Sequence, residues 1–185
     1  MCEYFCENVY NDINKETSIK GIDEMMEHNQ LKVSQQDNIL ILERIFNYPV
    51  EMIYDSFTDG RMLEEWWGPK GIKTTNIIYD FRPGGIWFFK LNSEYGVSFS
   101  KSIFQEISEN RFSYIDYFSD EEGNELKEMG SSLIDNQFES IPEGTKFTTT
   151  ITFESKEKLE ESLEMKILEG IESTLNRLDD LLSQL

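Results

Sequence analysis

Histidine and cysteine are almost missing from this chain. The one histidine is His28, and the two cysteines are Cys2 and Cys6. From residue 37 onward there is neither. A Ser-His-Asp triad, a Cys-His pair and the usual zinc ligand sets are therefore excluded from that part. Cys2 and Cys6 are read as ordinary thiols, because a metal site needs about four ligands. No metal and no cofactor is expected. The main domain cannot build a disulfide framework, which fits a reducing, cytoplasmic setting. Basic residues are also scarce: 17 Lys and Arg stand against 36 Asp and Glu, a formal net charge of −19. Non-specific binding to nucleic acid or to anionic membranes needs clustered Lys and Arg, so neither partner is expected. No stretch approaches the roughly 18 uninterrupted apolar residues of a membrane span. Met1 to Glu7 lacks a basic start with an apolar run, so no signal peptide is expected. Gly84-Gly85 lacks the lysine and following helix of a phosphate loop and is read as a turn.

What is present begins with rings. Aromatic residues are 13% of the 185, against 38% hydrophobic residues in all. Such a core is built from large side chains. The length suits one domain with an appendage. From Lys156 to Leu185, Leu159, Leu163, Ile167, Ile171, Leu175, Leu178, Leu182 and Leu185 recur at steps of three and four. That is one buried face of a helix, roughly 40 Å long if unbroken. Gly170 interrupts the stripe's chemistry, and a mid-helix glycine costs about 1 kcal/mol relative to alanine.

Residues 1–36 read as an extension with two weak amphipathic pieces, and 37–185 as the domain proper. Asn38 to Phe46 is a strand. Pro49 then opens a short helix carrying Val50, Ile53, Tyr54 and Phe57. Thr58-Asp59-Gly60 ends it and caps a second helix that carries Met62, Leu63, Trp66 and Trp67 and stops at Gly68-Pro69. Strands follow at Lys73–Phe81, Gly85–Asn92, Val97–Ile107 and Arg111–Ser119. Arg82-Pro83-Gly84-Gly85 is the tight turn between the first two of these. Glu125–Glu139 is less regular and reads as an edge or bulged strand, and Thr145–Glu154 is the last one. The order predicts an α+β helix-grip fold: a curved antiparallel sheet of six to seven strands around the terminal helix, with two short helices after the first strand.

Alternation assigns inner faces. Trp87, Phe89 and Leu91 share one face, opposite Ile86, Phe88 and Lys90. Phe147, Thr149, Ile151 and Phe153 share another. Phe112, Tyr114, Asp116 and Phe118 form a third, which would put a carboxylate among aromatic rings. The acid–base candidates are Asp80, Asp116, Tyr114 and Tyr117, of which Asp116 and Tyr114 are carried forward as weak catalytic candidates. Asp80 and Arg82 share a face and are expected to pair structurally.

Trp66-Trp67-Gly68-Pro69, Asp80-Phe81-Arg82-Pro83-Gly84-Gly85 and Leu168-Glu169-Gly170-Ile171 occur in that order, preceded by Tyr48-Pro49-Val50-Glu51. This set resembles the SRPBCC or START-like superfamily, in the branch named after the C-terminal domain of the activator of the heat-shock protein 90 ATPase. The resemblance covers about Asn38 to Leu185. It implies an apolar cavity between sheet and helix. The residues read as lining it are Trp66, Trp67, Trp87, Phe89, Tyr114, Phe118, Phe147, Ile151, Ile167, Gly170, Ile171 and Thr174. The aromatic members serve equally well as solid core, and both readings stand at this point. A fold does not fix a function. The leading expectation is a binder or carrier of a small apolar or amphipathic molecule. The alternatives are a protein-interaction module, such as a partner of a heat-shock protein 90 homologue or a homodimer through the extension, and a cyclase- or dehydratase-like enzyme using Asp116 or a tyrosine. The activator's own N-terminal domain has no counterpart in this sequence.

Overall fold

The computed structural model describes residues 30–185. The two amphipathic pieces expected earlier in the chain, with Cys2, Cys6 and His28, lie outside the described residues. Strands β1 (Lys32–Gln36) and β2 (Ile39–Phe46) come first, then helices α1 (Val50–Thr58) and α2 (Gly60–Trp66). Next are β3 (Lys73–Tyr79), β4 (Ile86–Ser93), β5 (Gly96–Ser108), β6 (Arg111–Ser119), β7 (Ser131–Ile141) and β8 (Gly144–Phe153). Helices α3 (Lys156–Glu164) and α4 (Ile167–Leu182) end the chain. The strands form one sheet, β1-β2-β8-β7-β6-β5-β4-β3, with every neighbour antiparallel. This is the helix-grip α+β fold.

Three expectations need correction. The sheet has eight strands, not six to seven. The added one, β1, pairs with β2 from Lys32↔Glu43 to Gln36↔Ile39. Its sequence Lys-Val-Ser-Gln-Gln carries one apolar residue, and all five positions are exposed. An edge strand held by its backbone ladder leaves no apolar alternation to detect. Second, β7 is not an edge: it lies between β6 and β8. Lys127–Met129 forms a 3₁₀ turn before it, and polar Ser132 and Asn136 fall on its inner face, which hides the alternation.

The third correction concerns the terminal helix. It is broken at Met165-Lys166, where Lys166 adopts a left-handed conformation (φ 60, ψ 41). Ser155 Oγ caps α3 by accepting from the Lys158 amide at 3.3 Å. No proline or glycine stands at the break, so tertiary packing imposes it. Leu159 of α3 packs with Leu40, Leu42, Ile151 and Phe153, while Leu175, Leu178 and Leu182 of α4 join a second cluster around Phe57 and Trp66. Leu185 is 82% exposed and does not extend the buried stripe.

That second cluster is the main core. The Phe57 ring lies 4.7 Å from Trp66, 4.8 Å from Phe147 and 5.1 Å from Phe138. Such ring pairs add about 0.5–1.5 kcal/mol each beyond their buried area. Phe147, Thr149, Ile151 and Phe153 are all buried on the inner face of β8, as their alternation requires. Phe88 lies on the face opposite Trp87, as alternation requires, yet is only 6% exposed, because its ring packs beside Phe99 on the convex side.

Candidate functional site

Directly opposed residues in an antiparallel pair share a face. The register therefore aligns Trp87, Ser102, Asp116, Ser132 and Phe153 in one row across the concave surface. The next row holds Phe89, Ser100 and Phe118. Small serines flank the carboxylate, so the sheet floor stays low around it. Ser102 Oγ donates to Asp116 Oδ1 at 2.6 Å, and Ser100 Oγ donates to the same oxygen at 3.0 Å. Among the described residues Oδ2 accepts no hydrogen bond, and no lysine or arginine pairs with the carboxylate. Burial pushes the Asp116 carboxyl upward, opposed by the Ser102 and Ser100 hydrogen bonds. Tyr114, next on the inner face, is buried; desolvation, then the Asp116 charge, raises its phenol, with the Asn136 side chain acting in the other direction. Asp116 can thus accept a hydrogen bond or a cation, and Tyr114 stays a neutral phenol.

An aromatic wall stands beside this floor. Trp66 and Trp67 rings are 5.3 Å apart, Trp67 and Trp87 are 4.9 Å apart, and Trp87 stacks on Phe89 at 4.3 Å. Trp66 Nε1 donates to Ser56 O at 3.0 Å and Trp87 Nε1 to Asn76 Oδ1 at 2.7 Å. Both indole N–H groups are consumed internally.

The helix side of the site is fixed by Arg177. Its Nη1 donates to Gly68 O (2.8 Å), Ile72 O (3.0 Å) and Pro69 O (3.2 Å), and its Nη2 to Glu65 O (2.7 Å). Desolvation lowers the guanidinium's pKa, with Glu65 opposing. Ser173 Oγ accepts from the Lys70 amide at 3.1 Å. These bonds clamp α4 to the Trp66-Trp67-Gly68-Pro69 segment. The apolar stripe of the helix does not point to Arg177. A signal existed: at roughly 100° per residue, Gly170, Ser173 and Arg177 share one flank of the helix.

The residues expected to line a cavity fall into two groups. Trp66, Trp87, Phe89, Tyr114, Phe147 and Ile151 are buried. Trp66 and Phe147 belong to the packed rings around Phe57. Trp67, Phe118, Ile167, Gly170, Ile171 and Thr174 are half-buried, as are the inward-facing Leu91, Asp116 and Ile134. One end of the concave face is therefore solid and the other is incompletely covered. Gly170 does not touch the sheet. A Cβ placed there would meet only Pro69 Cγ, at 3.8 Å. The Thr174 hydroxyl donates back to Gly170 O at 2.8 Å. Asp80 and Arg82 pair at 2.8 Å across their turn and remain exposed, a structural contact as expected.

Two surface grooves lie elsewhere. One, of about 380 Å³, is lined by residues including Glu64, Glu65, Thr74 and Arg177. The other, of about 590 Å³, is lined by Asp55, Asp59, Met62 and Tyr79 among others. None of the expected cavity residues lines either groove. Among the described residues no group of three His, Cys, Asp or Glu could hold a metal. No described helix is long and apolar enough to cross a membrane.

A protein from Arthrobacter aurescens, solved by NMR, is similar in structure, with TM-score 0.78 and 25% identity over 83% of this chain and 92% of that one. A Mycobacterium smegmatis crystal structure gives TM-score 0.75 and 29% identity over 83% and 96%. A Staphylococcus epidermidis protein gives 0.74 and 26% over 82% and 93%. No curated protein matches the sequence. The family model described as "Activator of Hsp90 ATPase homolog 1-like protein" matches residues 47–183, from the turn before α1 to the end of α4. With the helix-grip architecture and the Trp66-Trp67-Gly68-Pro69 clamp in place, the chain belongs to the family of Activator of Hsp90 ATPase homolog 1-like proteins.

Proposed function

We propose that this protein binds or carries a small apolar or amphipathic molecule on the concave face, between the N-terminal half of α4 and strands β4 to β7. The fold of the family suits a ligand-binding domain in general. One observation carries the more specific reading. Leu91, Phe118, Ile134 and Ile171 belong to the inner surface yet stay half-buried, while the opposite end of the same surface is sealed. Apolar area of this kind is covered by something the domain itself does not supply, at a gain of about 25 cal/mol per Å². Native mass spectrometry of protein purified without detergent tests this, together with thermal shifts against lipid-like and aromatic compounds. A retained mass, or a stabilisation of about 2.7 kcal/mol at a hundredfold excess over Kd, is the expected result. No retained mass and no shift would sink it.

A second reading is a protein-interaction role with a heat-shock protein 90 homologue. The observation in its favour is the family description itself, which names that ATPase. The chaperone's ATPase rate with and without this protein decides it, and an unchanged rate across salt concentrations removes it.

A further inference from the structure

We propose that the concave face selects ligands bearing a protonated amine, with the Asp116 carboxylate as the anionic anchor. This rests on the reading of that face as a ligand site and adds the ligand's chemistry. Asp116 is the sole acid, and Arg44 the sole cation, among the described strand residues that the register places on the inner face. Arg44 is not available to Asp116. It is engaged by Asn176 and Asp179, and two inner rows, of Tyr114-Ile134-Ile151 and Phe112-Asn136-Thr149, separate it from the Asp116 row. Both serine hydroxyls converge on Oδ1, which leaves Oδ2 to a donor from outside the described residues.

Each ligand class meets this arrangement differently. A carboxylate or phosphate would be repelled by Asp116. A purely apolar molecule would desolvate the charge and give nothing back, which is costly for a buried ion. A protonated amine supplies a counter-charge and an N–H donor to Oδ2 in one group. Trp87, Phe89 and Phe118, its neighbours on the inner face, offer ring faces that attract organic cations. The formal net charge of −19 also raises the local concentration of cations.

The experiment uses the full chain and three probes of one chain length: decylamine, decanol and decanoate, below micelle formation and near neutral pH. Binding is followed by calorimetry and by the fluorescence of the tryptophans. Decylamine is expected to bind at least tenfold tighter than decanol, with decanoate weakest. Asp116→Asn should bring decylamine to within about twofold of decanol, by weakening decylamine while decanol, freed of the cost of desolvating a charge, binds no more weakly than before. A surface control, Glu121→Gln, removes the same formal charge and should leave the preference intact. Equal binding of decylamine and decanol to the native protein overturns the proposal but spares the ligand-site reading. So does a decylamine preference that survives in Asp116→Asn. If no probe binds, the ligand-site reading falls and takes the proposal with it. Should Asp116→Asn not fold, the native protein's order of affinities at about 0.5 M salt, where surface attraction is screened, decides alone.

Discussion

Arg44 on β2 and Asp179 on α4 form an ion pair that fastens the sheet to the terminal helix across 135 residues of sequence. Arg44 is 2% exposed, its Nη1 donates to Asn176 Oδ1 at 2.7 Å, and its guanidinium lies over the Phe46 ring. Desolvation raises the Asp179 carboxyl, and Arg44 opposes the rise. Bringing both charges out of water is therefore costly, and the pair matters because neither member tolerates losing the other.

Asp179→Ala should cost about 3 kcal/mol, because it strands a buried guanidinium. Arg44→Met combined with Asp179→Leu should recover most of that loss, since it removes both charges together. Urea unfolding followed by circular dichroism measures both. A double variant as unstable as Asp179→Ala would contradict the account.

Arg177→Lys should behave as a disruptive change. A lysine cannot reach the carbonyls of Glu65, Gly68, Pro69 and Ile72 in the planar fork that Arg177 uses. The expected loss is about 2 kcal/mol, with faster proteolysis between residues 67 and 72. Unchanged proteolysis there would show that the clamp is dispensable.

Gly170→Ala should stabilise the protein by about 0.5–1 kcal/mol. The new methyl would meet Pro69 at an ordinary contact distance, and the glycine's backbone is helical. A melting curve reads this directly. A lower melting temperature would mean that the space beside Pro69 is tighter than 3.8 Å implies.

Asp116 makes stability depend on pH with a definite sign. Its folded-state pKa is raised above the ordinary carboxylate value of 3.8. The folded state therefore holds a proton more readily than the unfolded one, and stability rises as pH falls through that window. Above the window the ionised, largely desolvated group is a cost. Asp116→Asn removes it, so the variant's melting temperature should exceed the native one near neutral pH. The gap should close towards about pH 4. Asp179, also raised, acts alike in both proteins and cancels in the comparison. A gap independent of pH would contradict this assignment.

Local pattern carried much of the fold. Strict alternation in Thr145 to Phe153 placed Phe147, Ile151 and Phe153 inside, and the structure buries all three. Pro49 and Asp59 marked the starts of two short helices; Asp59 Oδ1 accepts from the Arg61 amide at 2.8 Å. Where polar residues face inward, as in β7, alternation failed because its premise failed.

Of the candidate site, the sequence could name its members but not their company. It singled out Asp116 among aromatic residues, from period-two spacing alone. It could not supply Ser100 and Ser102, because strand pairing brings them there from 16 and 14 residues away. Nor could it find Arg44, which reads with Glu43 as one of two adjacent charges in an otherwise apolar strand until Asp179 stands opposite.

By itself, the sequence determined the chemistry excluded from the domain, since residues that are absent cannot act wherever the chain folds. It also determined the elements whose periodicity is local. Tertiary structure alone decided the break at Lys166, the attachment of Arg177 to the tryptophan segment and the incomplete cover over Asp116. Each depends on how a curved sheet meets a helix, and that meeting depends on contacts between residues far apart in the chain. The helix that looked continuous is two helices: Leu159 of α3 packs with Leu40, Leu42 and Phe153, the start of α4 still reaches that cluster through Ile167, Leu168 and Ile171, and Leu175, Leu178 and Leu182 pack around Phe57 and Trp66.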